Sequence, residues 1–331
     1  MRATRLAVVF TLCFTAFSAL SLGTAQAQGT VSGYPNRPIR FFVPLAPGGM
    51  VDVVARTIAQ HLAERLGQPV VTENRPGANG VVALEIVAKA PSDGYTLVLT
   101  TQAMLVFNQY LYRKLPYESL RDFASISMVF AAPLYLVTAP SFAARTVPEL
   151  LGLVKSQPGK FSYASIGIGS GQHLAMELLK SRIGMDIVHV PYKSSTSAMA
   201  DLIAGRVQVM FEGPVSTLPQ IRAGKINVLA SLGPRRTATL PEVPTISEAG
   251  VPGFQILTWF GLSVPSGVPR AIIEKLNAEV GNLLRSPAAR EKFASSNIEL
   301  IPSTPDEMDE RIRTEIPVFM KMLGEAGIDR E

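Results

Sequence analysis

The chain is poor in the side chains that most often bind metals or form covalent links. Its 331 residues include one cysteine, three histidines and one tryptophan. The cysteine, Cys13, lies in an N-terminal segment that we expect to be removed, so the remainder excludes disulfides, zinc–thiolate sites and cysteine nucleophiles. The histidines form no His-x-x-x-His pair. The sequence therefore predicts no metal site and no cofactor.

The sequence also lacks a run of basic residues. Its formal net charge is +5, and loss of Arg2 and Arg5 with the N-terminal segment lowers that charge by two. Such a weak, dispersed positive charge argues against a nucleic-acid partner. A content of 47% hydrophobic residues is typical of a globular α/β protein, and the slight basic excess favours small anionic ligands.

Residues 1–27 carry the pattern of a cleavable secretory signal peptide. Arg2 and Arg5 precede an apolar run over residues 6–22, and small residues surround the end of the segment at Ala27. The run is shorter than the about 20 apolar residues of a membrane-spanning helix, which disfavours the alternative of a retained anchor. We expect cleavage after Ala27 and export to the periplasm.

The expected mature chain begins with alternating strands and amphipathic helices. An apolar run at Ile39–Val43 predicts a buried strand, and a stripe of apolar residues over 51–66 predicts a helix that Gly67 ends. Further strands are predicted at 70–73 and 95–99, with a helix between them. This β-α-β-α-β order implies right-handed crossovers and a largely parallel sheet with helices on both faces.

The same rhythm restarts near residue 131, which predicts an α/β protein of two lobes across a cleft. Lobe 1 is predicted over 28–131 and 255–331, and lobe 2 over 132–254. Each lobe is expected to be a mainly parallel sheet flanked by helices. The C-terminal helices, predicted at 271–284, 288–294 and 305–326, are assigned to lobe 1.

Glycine-rich turns between strands and helices are the candidate binding features. Gly48 and Gly49 stand directly before a helix, where backbone N–H groups and the positive helix end favour a carboxylate or phosphate. The second lobe repeats this pattern around Ser170, with His173 as a further donor. Tight turns also use glycine for purely steric reasons, so each cluster alone has two interpretations. Asp52 also has two interpretations, because it either stabilises the start of its helix or contacts the ligand.

Several other polar residues have both a structural and a functional interpretation. Asn79 either supplies a donor or holds its own turn together. His189, in an apolar strand, is more typical of a hydrogen-bonded core histidine than of a ligand. Lys193 could neutralise an anionic ligand or be an ordinary surface lysine. Glu212, at a strand end, could bind an amino or hydroxyl group or stabilise the hinge.

Many short motifs resemble one family, the receptors of the tripartite tricarboxylate transporters, also called the Bug family. They span nearly the whole expected mature chain in the same order. The matching stretches are Tyr34-Pro35, Arg37-Pro38-Ile39, Val43-Pro44, Ala46-Pro47-Gly48-Gly49, Asp52, Ala55-Arg56, Leu66-Gly67-Gln68, Glu73-Asn74-Arg75-Pro76-Gly77-Ala78 with Gly80, Asp93-Gly94-Tyr95-Thr96-Leu97, Leu115-Pro116-Tyr117, Tyr163-Ala164-Ser165, His189-Val190-Pro191-Tyr192-Lys193 and Val243-Pro244-Thr245.

The resemblance implies a periplasmic solute-binding protein with a type II-like, Venus-flytrap arrangement of two lobes. Such a receptor closes on a small carboxylate, with an amino acid or aromatic acid among the possible ligands, and delivers it to a membrane permease. By the family's pattern the ligand-binding residues of lobe 1 are Pro47, Gly48, Gly49, Asn79, Thr101 and Gln102. Those of lobe 2 are Ser170, His173, Tyr192, Lys193 and Glu212.

The sequence departs from the family pattern in the second lobe. Ser194-Ser195 stands where a glycine usually follows the lysine, and Glu212 stands where aspartate is common. The ligand itself is therefore not predicted.

Two other functional classes stay open at this point. An exported esterase-like hydrolase would need an activated nucleophile, but Ser170 is not in a Gly-x-Ser-x-Gly turn and only His173 is a candidate base. A receptor that signals through a membrane sensor kinase cannot be separated from a transport receptor by sequence. We expect a monomer that binds without catalysis.

Overall fold

The computed structural model describes residues 33–294 and 298–330. The predicted signal peptide and its cleavage site near Ala27 lie outside the described residues. The chain divides into a short unit, Met1–Tyr34, and a large compact unit, Pro35–Glu331, to which the following description refers. No helix within the described residues has both the length and the apolar character needed to cross a membrane.

The described residues form strands and helices in alternation. The strands are β1 (Ile39–Val43), β2 (Val70–Asn74), β3 (Thr96–Thr101), β4 (Phe123–Pro133), β5 (Tyr135–Thr138), β6 (Ser162–Ser165), β7 (Val188–Pro191), β8 (Val209–Glu212), β9 (Asn227–Ser231), β10 (Leu257–Pro265) and β11 (Glu299–Leu300). The helices are α1 (Met50–Leu66), α2 (Val81–Ala88), α3 (Asn108–Leu111), α4 (Ser119–Asp122), α5 (Val147–Ser156), α6 (Gly171–Ile183), α7 (Ser195–Ile203), α8 (Pro214–Arg222), α9 (Arg270–Arg285), α10 (Pro287–Ala294) and α11 (Pro305–Glu325).

The strands form two sheets, in agreement with the predicted two-lobed α/β fold. The first sheet has the order β11-β4-β10-β3-β1-β2, and the second has the order β7-β6-β8-β5-β9. The prediction of mainly parallel sheets needs correction. Only β1, β2 and β3 are parallel in the first sheet, and only β6, β7 and β8 in the second, while β4, β5, β9, β10 and β11 pair antiparallel. The antiparallel pairs arise because the strands next to the connections between the sheets, such as β4 and β10, run in opposite directions as the chain leaves the first sheet and returns to it.

The chain passes between the sheets at points that lie side by side. The backbone N–H of Leu232 donates to Leu134 O at 2.8 Å, and that of Ile256 donates to Leu232 O at 2.9 Å. The three connecting segments therefore form one narrow hydrogen-bonded joint, which is the candidate hinge. The predicted lobe bounds, 28–131 with 255–331 and 132–254, stay a prediction.

The first sheet is covered by helices whose sequences explain their ends. Helix α1 buries the apolar stripe that the periodicity predicts, and it ends at Gly67 in the left-handed conformation, with φ of 70°. Helix α11 begins with a capping box between Thr304 and Glu307. Helices α9 and α11 pack on β4, a strand of the first sheet.

Residues 214–231 contain two elements that sequence periodicity did not predict. Helix α8 holds Pro219 in its interior, and β9 is short, with polar residues, Asn227 and Ser231, at its two ends. Strand β4 also begins earlier than expected, at Phe123, because Ser125 and Ser127 interrupt its apolar pattern while being buried.

Candidate ligand-binding site

The candidate site is built on the strand ends of both sheets. The parallel strands β1, β2 and β3 end at one edge of the first sheet, and β6, β7 and β8 end at one edge of the second. In open α/β sheets ligands bind beyond such carboxyl-terminal edges. The side chain of Asn79, in the loop after β2, donates to the backbone oxygen of Gly169, in the loop after β6, at 2.8 Å. The two edges therefore adjoin.

The loop from Pro47 to Gly49, which follows β1, is exposed. Gly48 has φ of 84°, a conformation that favours glycine, and Gly49 is the N-cap of α1. No side chain caps this helix start, and a Cβ placed on either glycine would meet no atom within 4 Å. The first amides of α1 are therefore open to a ligand on this side.

Asp52 lies behind this loop and stabilises it. The carboxylate accepts from Gly48 N at 3.0 Å, Arg56 Nε at 2.9 Å and Asn74 Nδ2 at 2.9 Å. Burial by itself would raise the pKa of Asp52, but hydrogen bonds from Arg56, Asn74 and Gly48 outweigh it, and the pKa is lowered. The structure therefore assigns Asp52 a contact with the protein, in agreement with its interpretation as a residue of the helix start.

Thr101 and Gln102, at the end of β3, are both buried. Thr101 Oγ1 accepts from Met104 N at 3.3 Å. Gln102 Nε2 donates to Glu315 Oε2 at 2.8 Å, and the same oxygen accepts from Trp259 Nε1 at 2.8 Å. Gln102 Oε1 is buried with no hydrogen-bond partner among the described residues.

Gln102 lines a cavity of about 230 Å³ beside the candidate hinge. The cavity is also lined by Arg311 and Glu315 of α11 and by residues 255–257, where the chain enters β10. Trp259, which is fully buried, donates from Nε1 to Glu315 Oε2 behind the cavity. The side chain of Gln102 therefore has its contacts on the α11 side of the hinge.

Ser170 and His173 organise the start of α6. Ser170 is the N-cap, and its hydroxyl accepts from His173 N at 3.2 Å and donates to Gly167 O at 2.7 Å. His173 Nδ1 accepts from Gly169 N at 3.3 Å. Both side chains are nearly buried and already use these groups within their own turn. This helix start is capped, unlike that of α1.

A second histidine lies against His173. The rings of His173 and His189 are 4.4 Å apart, and His189 Nε2 lies 2.7 Å from Ser165 Oγ. Burial lowers the pKa of His173, an effect that the charge of Glu177 opposes. Burial and the neighbouring His173 lower the pKa of His189 to about 4. The prediction that His189 is hydrogen-bonded within the fold agrees with its contact with Ser165.

Tyr192 and Lys193 follow β7 and differ in their contacts. The hydroxyl of Tyr192 donates to Asp201 Oδ2 at 2.9 Å. Burial, followed by this bond to a carboxylate, raises the pKa of Tyr192 to about 12. Lys193 is exposed, and its side chain makes no hydrogen bond or ion pair with the residues that the structure describes. Of the two, only Lys193 presents an unused charge.

Glu212 ends β8 and is only 4% exposed. Its Oε1 accepts from Gly213 N at 2.8 Å, but Oε2 has no hydrogen-bond partner within the described part of the chain. Burial raises the pKa of the carboxyl group to about 7, and the Gly213 N–H and the nearby side chains of Ser195 and Gln172 offset this only in part. The group can therefore donate as an acid or accept as a carboxylate near neutral pH.

The structure brings some of the predicted residues together and separates others. Asn79 meets the turn that holds Ser170 and His173, whereas Gln102 bonds to α11 and Tyr192 to Asp201. Within the described ranges, no cluster of three or more histidine, cysteine, aspartate or glutamate side chains is arranged to hold a metal ion.

Sequence reasoning missed the contribution of Asn108, which is fully buried and bonds to Asn79. No motif singles out this residue. The one available signal was the polar pair Asn108-Gln109 within the mostly apolar stretch 103–111.

The chain is similar to a known family over most of its length. A family profile described as the tripartite tricarboxylate transporter family receptor matches residues 54–320. The Bordetella pertussis protein BugT is 38% identical over 309 residues, which cover 92% of this chain and 95% of BugT.

Solved structures show the same fold. A Rhodopseudomonas palustris protein solved with adipate has a TM-score of 0.86 and 34% identity, covering 90% of this chain and 100% of that one. MatC from Rhodopseudomonas palustris, solved with bound malate, has a TM-score of 0.82 and 31% identity, covering 88% of this chain and 100% of MatC. Both ligands are dicarboxylates.

Proposed function

The chain belongs to the tripartite tricarboxylate transporter receptor family of periplasmic solute-binding proteins, and from that membership we propose that it captures a small mono- or dicarboxylate. The family consists of receptors and not of enzymes. Relatives of the same fold were solved with adipate and with malate, which supports a carboxylate ligand for this chain.

The observation that carries the proposal is the open helix start at Gly48 and Gly49. The loop is exposed, α1 has no side-chain cap, and there is free space around both glycines. Unpaired backbone N–H groups and the positive end of a helix of 17 residues together favour a carboxylate. Asp52 is turned to Arg56 and Asn74 and is neutralised there, so it does not repel the ligand.

The second lobe supplies the other end of the proposed site. Lys193 is an exposed cation without a partner among the described residues, and it fits a second carboxylate. Glu212 Oε2 lacks a hydrogen-bond partner, and it fits a ligand with a hydroxyl, an amino group or a protonated carboxyl. Ser170, His173 and Tyr192 would shape this wall through contacts they already make within the protein.

We further propose that the receptor acts in the periplasm as a monomer and delivers its ligand to a permease of the tripartite tricarboxylate type. Uptake of the ligand by cells that lack the permease, compared with cells that lack this receptor, tests the delivery step. Equal loss of uptake in both strains is expected, and normal uptake without the permease would contradict the proposal.

A thermal-shift screen tests ligand binding directly. A ligand at about 100 times its Kd stabilises a protein by about 2.7 kcal/mol, so a specific carboxylate should raise the Tm by several degrees. Adipate, malate, amino acids and aromatic acids form the panel, with neutral sugars and amines of similar size as controls. The proposal fails if no carboxylate raises the Tm while a sugar or an amine does.

A further inference from the structure

The backbone of Gly169 is hydrogen-bonded through both its N–H and its carbonyl oxygen. Its N–H donates to His173 Nδ1 within the second lobe, and its oxygen accepts from Asn79 Nδ2 of the first lobe at 2.8 Å. Gly169 has φ of 76°, and a Cβ there would lie 3.0 Å from Leu111 Cδ1 and 3.3 Å from Asn79 Nδ2. Only glycine allows the two strand-end edges to approach this closely. We name the Asn79–Gly169 hydrogen bond the closure contact.

The side chain of Asn79 has no donor left for a ligand in this conformation. Its Nδ2 also donates to Asn108 Oδ1 at 2.7 Å. An amide nitrogen carries two hydrogens, and these two bonds use both of them. The side chain of Asn79 therefore joins the lobes, whereas the family resemblance implied a direct contact with the ligand.

Asn108 holds Asn79 from two directions. Besides accepting from the side chain of Asn79, it donates through Nδ2 to Asn79 O at 3.2 Å and to Tyr117 Oη at 3.0 Å. Tyr117 in turn donates to Met104 O at 2.7 Å. Asn108 is 0% and Tyr117 2% exposed, so these bonds are shielded from competing water.

The backbone of Asn79 needs this support. Asn79 has φ of 47° and ψ of 43°, and Ala78 before it also has a positive φ, of 44°. Residues other than glycine avoid this left-handed region, so such a pair persists only where its surroundings stabilise it. The two bonds from Asn108, one to the side chain and one to the backbone oxygen, provide that stabilisation.

We propose that Asn108 is the positioning residue for lobe closure: it orients Asn79 so that the closure contact forms before any ligand is bound. The link from closure to ligand affinity rests on the proposed receptor function, whereas the link from Asn108 to closure does not. Asn108 touches no ligand in this scheme and acts only through Asn79.

The experiment measures the distance between the lobes without ligand. Cys13, the sole cysteine, lies in the N-terminal segment that we expect to be removed, so the mature chain accepts two spin labels, placed through Val71→Cys on β2 and Val188→Cys on β7, both of which are exposed. Pulsed electron spin resonance then gives the distance distribution. The labelled protein that keeps Asn79 and Asn108 should show a population at short distance, which corresponds to closed lobes. Asn79→Ala and Asn108→Ala should each lower the ratio of closed to open protein about fivefold, the effect of losing one hydrogen bond.

Asn277→Ala is the matched control. Asn277 is a partly buried asparagine whose Nδ2 donates to Ile126 O and Ser303 O, both within the first lobe. This variant should lose stability without a change in the distance distribution. The proposal is overturned if Asn108→Ala leaves the distribution unchanged, if Asn277→Ala changes it equally, or if no closed population exists with wild-type contacts.

Two further outcomes are separable. If Asn108→Ala does not fold, Asn79→Ala still decides whether the closure contact holds the lobes. Ligand titration of the same labelled proteins then separates the proposals. If no carboxylate binds the labelled parent or its variants, the proposed receptor function is contradicted. The distances measured without ligand still test the role of Asn108.

Discussion

Asp52 of the first lobe and Glu212 of the second are carboxyl groups with the same small solvent exposure but opposite properties. Each is 4% exposed and lies close to the end of a parallel strand. Asp52 accepts three hydrogen bonds, and its pKa is lowered although burial would raise it. Glu212 accepts one, and burial raises its pKa to about 7. The deeper burial of Glu212 and the larger number of donors around Asp52 together account for the opposite pKa shifts.

The helix starts near these two carboxyl groups show the opposite difference in hydrogen bonding. The start of α1 beside Asp52 is exposed and uncapped, whereas the start of α6 is capped by Ser170 and bonded to the first lobe through Gly169. In the first lobe, therefore, Asp52 accepts three hydrogen bonds, whereas the amides at the start of α1 have no side-chain cap. In the second lobe, the start of α6 is capped, whereas Glu212 Oε2 has no hydrogen-bond partner among the described residues. Two glycine-rich turns of similar sequence thus have different roles.

Replacement of Glu212 by glutamine should give the largest effect. Because the pKa of Glu212 rises from 4.5 to about 7 on folding, the wild-type protein loses stability as the pH rises through this range. The loss approaches about 3 kcal/mol. Glutamine has the same shape and no charge, so Glu212→Gln should avoid the loss. Urea unfolding at about pH 5 and about pH 8 measures the difference.

The second-lobe histidines contribute a pH dependence of opposite sign. Their pKa values are lowered on folding, so the stability they contribute is lost as the pH falls below their ordinary value of 6.5. The Glu212→Gln variant shares this contribution, and the difference between the two stability curves isolates Glu212. Parallel curves across the whole range would contradict the asymmetry between the two carboxyl groups.

Replacement of Asp52 by asparagine should have the next largest effect. The variant leaves Arg56 without its charged partner and the Gly48 N–H without a carboxylate acceptor, at a cost of about 2 kcal/mol. Because the pKa of Asp52 is lowered, its contribution is present above its ordinary value of 3.8 and is lost as the pH falls. Urea unfolding near neutral pH measures the loss.

Asp306→Asn is the control for this variant. Asp306 also pairs with an arginine, Arg270, but its side chain is 74% exposed. Little change in stability is expected there. An equally small change at Asp52 would show that the network behind the first loop does not stabilise it.

Replacement of Gly49 by leucine should have the smallest energetic effect of the three substitutions. That effect should appear in the free energy of ligand binding. Gly49 has φ of −81°, which leucine adopts without strain, and the space around it is empty. The side chain would stand where a carboxylate approaches the α1 amides. Affinity for the ligand found by the thermal-shift screen should fall at least about tenfold, or about 1.4 kcal/mol, by calorimetry.

Gly152→Leu on the exposed surface of α5 is the matched control, because it too has free space and an ordinary backbone. It should leave affinity unchanged. Equal affinity in Gly49→Leu and Gly152→Leu would remove the first loop from the ligand site.

Much of the fold follows from local patterns in the sequence. The bounds of β1 agree with the prediction, and α1 ends at the predicted Gly67, because each element has a strong period and a clear stop signal. Helix α8 and strand β9 were missed because Pro219 interrupts the helix and the short strand begins and ends with polar residues, so neither gives such a pattern. The mixed direction of the sheets was missed because strand direction depends on how the chain passes between lobes.

The site was less predictable because its contacts join distant residues. Gln102 bonds to Glu315, 213 positions away, and Asn79 bonds to Gly169, 90 positions away. The raised pKa of Glu212 comes from its burial in the folded chain, which no motif encodes. Sequence predicted which residues stand at strand ends, but it could not predict which of their groups the protein already uses.

The narrow joint between the sheets has a consequence for folding. Because β10 returns to the first sheet, Thr100 Oγ1 donates to Gly261 O across 161 positions of the chain. The second sheet, by contrast, is built from one continuous stretch, from Tyr135 to Ser231. Closing so long a loop slows folding, so the second lobe should acquire its structure first and the first lobe only after β10 has emerged. A chain with this topology cannot complete its first sheet until β10 has been synthesised.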